Sequence, residues 1–206
     1  MFNKREIIHI LIAIIILGFI MSVPNISKNY AYCILIASII IFVNILGKEI
    51  AGKYFYVDIE NKIFEFQRYW FYKDSKLKKP FPIGIVLSFF AAIVSLGKIK
   101  LMALLQFDGK PSRKKILKKR GAVRKSEVNE SDLAFISAWG FYALIILAIL
   151  GFILKIPSLT KYTIYYGFWN LLPIGQLDGT KLFFGSLINW ILLVVIYVIS
   201  LIIIIL

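Results

Sequence analysis

A chain of 206 residues that is 60% hydrophobic and only 17% charged, with a mean hydropathy of +0.81, has more apolar surface than a soluble fold of this size can hide. The composition reads as an integral membrane protein, with residues 1–206 as one membrane domain, and the single cysteine, Cys33, excludes an internal disulfide framework. The net charge of +14 does not point to nucleic acid: in a membrane protein Lys and Arg gather in cytoplasmic loops and meet anionic lipid, so membrane lipid is the partner this charge implies.

The chain starts with a short basic segment containing Lys4 and Arg5, followed by an apolar run from Ile7 to Val23. That run has the length of a signal-peptide core or a first membrane helix. Pro24-Asn25-Ile26-Ser27-Lys28 after it has no small-x-small cleavage pattern, so a retained helix is expected. His9, the only histidine, falls one turn inside this helix and reads as an interfacial residue rather than a metal ligand. Tyr30 to Leu46 predicts the second membrane helix, continuing through Gly47-Lys48-Glu49-Ile50-Ala51-Gly52-Lys53-Tyr54, where Glu49 and Lys53 are spaced to pair.

From Asp58 to Phe66 apolar and polar residues alternate around Asn61-Lys62, which predicts a small β-hairpin at the membrane surface. Tyr69-Trp70-Phe71-Tyr72 would form an interfacial aromatic cluster. Ile83 to Leu96 is apolar but short for a span, and after Lys98 and Lys100 the apolar run resumes from Leu101 to Phe107. One long tilted helix is one reading; a re-entrant helical hairpin is the other. The basic segments on either side, Lys73 to Lys79 and Lys110 to Lys125, can both be cytoplasmic only if the chain between them turns back, which favours the hairpin.

Glu127 to Asp132 is a polar, acidic helix start. A spanning helix follows from Leu133 to Leu154, another begins at Tyr162 and runs to Leu172, and a last one covers Ile188 to Leu206. The expected architecture is an all-α polytopic membrane protein of about six membrane segments, the re-entrant hairpin included, in the cell membrane with its basic loops cytoplasmic.

Two polar stretches stand out against this background. Lys48 to Gly52 and Asn170 to Gly179 each put a carboxylate, Glu49 or Asp178, at or inside the membrane, where an ionisable group is costly and marks a candidate site. Asn170, Pro173, Gly175 and Gly179 interrupt the helix around Asp178. The pair would suit proton or cation transfer. Equally, Glu49 reads as a helix-end charge offset by Lys48 or Lys53, and Asp178 as a turn residue ahead of Gly179.

Asn170-Leu171-Leu172-Pro173-Ile174-Gly175-Gln176-Leu177-Asp178-Gly179 resembles the NxxPxxxLDG motif of the site-2 protease family of intramembrane zinc metalloproteases. Lys48-Glu49-Ile50-Ala51-Gly52 falls where that family has HExxH, and the order of segments over roughly residues 40–190 is similar to that of small archaeal members. The resemblance implies a zinc site in which Asp178 takes the carboxylate-ligand position and Glu49 that of the general base. The two histidine positions hold Lys48 and Gly52, and the family's Gly-Pro-x-x-Asn element is replaced by Ser137-Ala138-Trp139-Gly140-Phe141. One carboxylate without histidine is not a catalytic zinc set, so no cofactor is expected, and the Lys48 ammonium is placed to offset the charge that zinc would neutralise. The implied function is that of a pseudoprotease binding a membrane helix or an extended peptide. An active metalloprotease with unusual ligands, an ion or proton transporter using Glu49 and Asp178, and a structural subunit are the alternatives.

Overall fold

The structure, a computed structural model, describes residues 4–23, 26–68, 76–112 and 128–205. Its helices are α1 (Lys4–Ser22), α2 (Ile26–Phe55), α3 (Ile83–Val94), α4 (Glu130–Ile153), α5 (Pro157–Leu171), α6 (Asp178–Gly185) and α7 (Leu187–Ile205). The strands are β1 (Val57–Ile63), β2 (Phe66–Arg68), β3 (Lys76–Phe81) and β4 (Leu105–Pro111).

Four helices are long and apolar enough to cross a membrane, over Lys4–Ser22, Asn29–Phe55, Glu130–Ile153 and Leu187–Ile204. α5, with 15 residues, rises only about 22 Å and α3, with 12, about 18 Å, both short of a ~30 Å hydrocarbon core. α2 runs unbroken past the end of its apolar stretch, as the sequence implies, and lies between α1 and α4. α4 also carries α5 and α6, and α7 packs on the far side of these two. The core where the four long helices meet is aliphatic around Leu17, Ile36, Ile40 and Leu144 and carries an aromatic pair, Phe141 and Tyr197.

The expected Asp58–Phe66 hairpin does not form. β1 continues straight through Asn61-Lys62 and pairs antiparallel with β4, more than forty residues later, in the register Val57↔Pro111 to Ile63↔Leu105. The physical reason is a contact with α1. Buried Glu6 accepts hydrogen bonds from the Asn61 backbone N–H and from Asn61 Nδ2, both at 2.9 Å, and this holds extended a residue that would otherwise favour a turn. A second two-stranded sheet joins β2 to β3. The Tyr69–Tyr72 cluster and the basic residues from Arg113 to Lys125 lie outside the described residues.

Residues 83–107 are not a pair of helices. α3 leads away from the β1 end and the chain turns at Ser95–Ile99, where Gly97 (φ +78°) lies against the Val23 carbonyl at the far end of α1. It then returns as extended chain into β4. Phe64 fastens both ends: its carbonyl accepts from the Gly84 N–H (3.0 Å) and its N–H donates to the Leu104 carbonyl (2.8 Å). The outward and return limbs thus begin and end at one level. Met102 to Phe107 are buried, so the apolar run of this limb reflects complete burial of the segment leading into β4 and of its first residues rather than a helical face.

Candidate functional site

The site forms where the end of α2, the first turn of α6, the middle of α4 and β4 converge. Lys48 lies on the buried face of α2 and is almost fully enclosed. Its stem needs space on α4, and Gly140 supplies it: a Cβ there would sit 2.9 Å from Lys48 Cε, 3.0 Å from Cγ and 3.1 Å from Asn44 Nδ2. The ammonium reaches across to Asp178, 130 residues later in the chain, and donates to Oδ2 in an ion pair sealed from solvent on both sides.

Asp178 is delivered by a broken helix. α5 ends at Leu171; Leu172 is extended (φ −64°, ψ 135°), the conformation that a following proline, Pro173, favours. Residues 173–176 form an exposed turn with Gly175 at φ +59°. Asp178 then opens α6, where a carboxylate also meets the positive end of the helix. Gly179 is pressed so closely on the Leu171 carbonyl, 2.1 Å from an imagined Cβ, that no side chain fits. Asn170 is buried; its Nδ2 donates to the carbonyls of Tyr166 (2.8 Å) and Met102 (3.2 Å), tying the returning limb to the end of α5.

β4 closes the site. The centre of the Phe107 ring lies 5.3 Å from Lys48 Nζ and 3.8 Å from Lys181 Nζ, within cation–π range of both. Lys181 also donates to the Phe107 carbonyl. Beside it Gln106 Nε2 donates to Gln176 Oε1 (3.1 Å) and Gln106 Oε1 accepts from the Glu65 N–H (3.4 Å). On the partner strand, away from the enclosed pair, Lys62 pairs with Asp108 (2.9 Å) and Lys110 with Glu60 (2.7 Å). The Lys110 hydrogen bond, aided by the Lys62 charge, holds the Glu60 carboxyl below its ordinary value. The Asp108 hydrogen bond and the charges of Asp108 and Glu60 hold Lys62 above its own.

The sequence-predicted residues thus separate. Lys48, Asp178, Asn170 and Gly179 come together. Glu49, next to Lys48 on the helix, is half-buried and makes no ion pair with Lys53 or with any other described residue. Pro173 is exposed and shapes the turn. Gly52 is packed against β1: a Cβ there would meet the Val57 carbonyl at 2.8 Å and Ile59 Cδ1 at 2.7 Å, so the second histidine position of the family motif has no room for a ligand. His9, on α1, joins none of these groups; among the described residues its buried Nδ1 has no hydrogen-bond partner. Among the described residues no three His, Cys, Asp or Glu side chains gather as a metal ligand set, and the carboxylate at the ligand position is occupied by an ammonium, so the residues around Asp178 do not fit zinc. Sequence reasoning missed Phe107, Lys181 and the Gln106–Gln176 bridge. Lys181, three residues after Asp178 and so on the same face of α6, was the one with a readable signal.

Compared with family models, curated proteins and solved structures, the chain matches none of them.

Proposed function

We propose that this chain is a multi-pass membrane protein with a site-2-protease-like core in which an ion pair stands where the family holds zinc: a pseudoprotease that binds a membrane helix or an extended peptide without cutting it. The observation that carries the reading is the Lys48–Asp178 contact. It joins the two stretches that resemble HExxH and NxxPxxxLDG, at the first residue of one and the carboxylate-ligand position of the other. A buried carboxylate needs a positive partner, and lysine here meets that need with no metal.

The binding role is supported by the sheet. β1 and β4 form only a two-stranded ladder among the described residues, so each keeps an edge without a strand partner, the arrangement to which an extended peptide adds. In this reading α3 and its extended return are a re-entrant element entered and left from the side of the sheet, and α5 completes a set of about six membrane segments. The basic run that follows β4 in the sequence, the densest of the chain, favours a cytoplasmic side for the sheet.

The test is zinc stoichiometry of the purified full chain, together with cleavage of a reconstituted single-span substrate. The reading expects well below one zinc per chain and no cleavage. Stoichiometric zinc with cleavage that Glu49→Gln abolishes would overturn it in favour of an active protease. One observation favours a second reading, a proton or ion pathway: among the described residues Asp178 Oδ1 is buried without a hydrogen-bond partner. Flux into liposomes that disappears in Asp178→Asn would establish that reading instead.

A further inference from the structure

A polar cavity lies at the opposite end of the bundle from the sheet. Its volume is about 270 Å³, and it sits between the last turn of α1, the first turns of α2 and the first turns of α5. Lys100, on the returning limb, projects a half-buried ammonium into its lining. The ammonium donates to the Met21 carbonyl (2.8 Å) and to the Tyr162 hydroxyl (3.1 Å), and Tyr162 in turn donates to the same carbonyl (3.2 Å). An ammonium has three N–H donors, and two are used here.

Among the described residues this cation has no counter-ion: no carboxylate pairs with Lys100, in contrast to Lys48, Lys62 and Lys110. The Lys161 ammonium acts on it as a like charge. The sequence around the cavity is one-signed. Segments 23–30, 95–100 and 154–162 hold Lys28, Lys98, Lys100, Lys155 and Lys161 and no Asp or Glu. α2 and α5 begin at this end and α1 and α4 end there, so their helix dipoles offset one another and the lysines carry the positive charge. Tyr32 and Ser158 line the cavity, and their hydroxyls make no hydrogen bond among the described residues.

We propose that this cavity binds a phosphate-type oxyanion, whose charge is the counter-ion that Lys100 lacks and whose oxygens accept from Lys100, Ser158 and Tyr32. The group is the headgroup phosphate of an anionic lipid or free inorganic phosphate; the chemistry recognised is the same. A neutral or cationic ligand would leave the ammonium uncompensated, and the cavity volume suits one tetrahedral anion with its glycerol or its water.

The experiment uses the full chain in lipid-free dodecyl maltoside, a detergent without phosphorus. Melting temperature and ³¹P signal are followed while inorganic phosphate or phosphatidylglycerol is added, with sodium chloride at matched ionic strength as the control. A rise in melting temperature with phosphate identifies the free anion as the source; a rise with phosphatidylglycerol alone identifies the lipid. In either case Lys100→Met weakens the apparent affinity roughly tenfold, about one charge-assisted hydrogen bond, and Lys100→Arg retains most of it. Should Lys100→Met fail to fold, Ser158→Ala, which leaves the Lys100 contacts in place, must still weaken binding a few-fold. No response to either ligand, or equal responses from the wild type and these variants, overturns the proposal.

Discussion

The molecule contains the same chemical pair in two settings. At the junction of α2 and α6, Lys48 and Asp178 are 1% and 2% exposed. On the sheet, Lys110 and Glu60 are 68% and 22% exposed, and Lys62 and Asp108 are 29% and 42% exposed. Water screens the second set, and such pairs contribute about 0–1 kcal/mol. The enclosed pair works differently. Taking both charges out of water is expensive, and the attraction between them roughly offsets that cost rather than exceeding it. Its importance shows when one partner is removed, because the other is then a naked charge in an apolar interior. The buried pair is therefore a unit that fixes how α2 and α6 meet, whereas the sheet pairs, linked to each other through Lys62 and Glu60 at 3.9 Å, are screened by water and fix little.

That contrast sets the order of the expected effects. The largest belongs to Lys48→Met, which strands Asp178 and costs about 3–5 kcal/mol, read from unfolding in mixed dodecyl maltoside–SDS micelles. Next comes Gly140→Ala: the added methyl meets the Lys48 stem at 2.9 Å and must displace it, costing about 1–3 kcal/mol by the same assay. Because the pair must shift, the Lys48→Met and Gly140→Ala effects should be less than additive. Asn170→Ala follows at about 1–2 kcal/mol, since it removes the buried side-chain hydrogen bond that ties the Met102 carbonyl to α5. The smallest is Lys110→Met on the sheet, below about 1 kcal/mol and vanishing in high salt.

The sheet pairs also predict a pH window. The folded pKa of Glu60 is lowered, so its contribution is present above the ordinary carboxylate range and is lost as pH falls through the folded value. The folded pKa of Lys62 is raised, so its contribution is complete below the ordinary lysine value and is lost as pH rises through the folded one. Amide exchange across β1 and β4 should be slowest between those limits, and Glu60→Gln should remove the acid-side dependence. An unchanged profile in that variant would mean that the pair adds nothing measurable.

The sequence carried the four long helices because each is a sustained apolar run, and it located the break before Asp178 because Pro173 and Gly175 interrupt one. It also paired the right two stretches, although only through a motif resemblance. What it did not carry is non-local. Nothing near Asn61 announces that Glu6 of α1 will hold it in a strand, so the local pattern read as a turn. Nothing in Leu101 to Phe107 distinguishes a buried strand from a buried helix; burial on every side erases the periodicity that separates them. The same applies at Gly52, whose small size reads as a lost ligand in the sequence and as a close approach to Val57 in the fold.

The central claim is that the Lys48 ammonium answers the buried charge of Asp178, so that the two residues stand or fall together. A double-mutant cycle of Lys48→Met and Asp178→Asn, measured by unfolding of the full chain in mixed micelles, addresses it directly. The account predicts that Lys48→Met alone is strongly destabilised and that adding Asp178→Asn restores most of the loss, a coupling of about 2–3 kcal/mol. Equal stability of the single and double variants would contradict it.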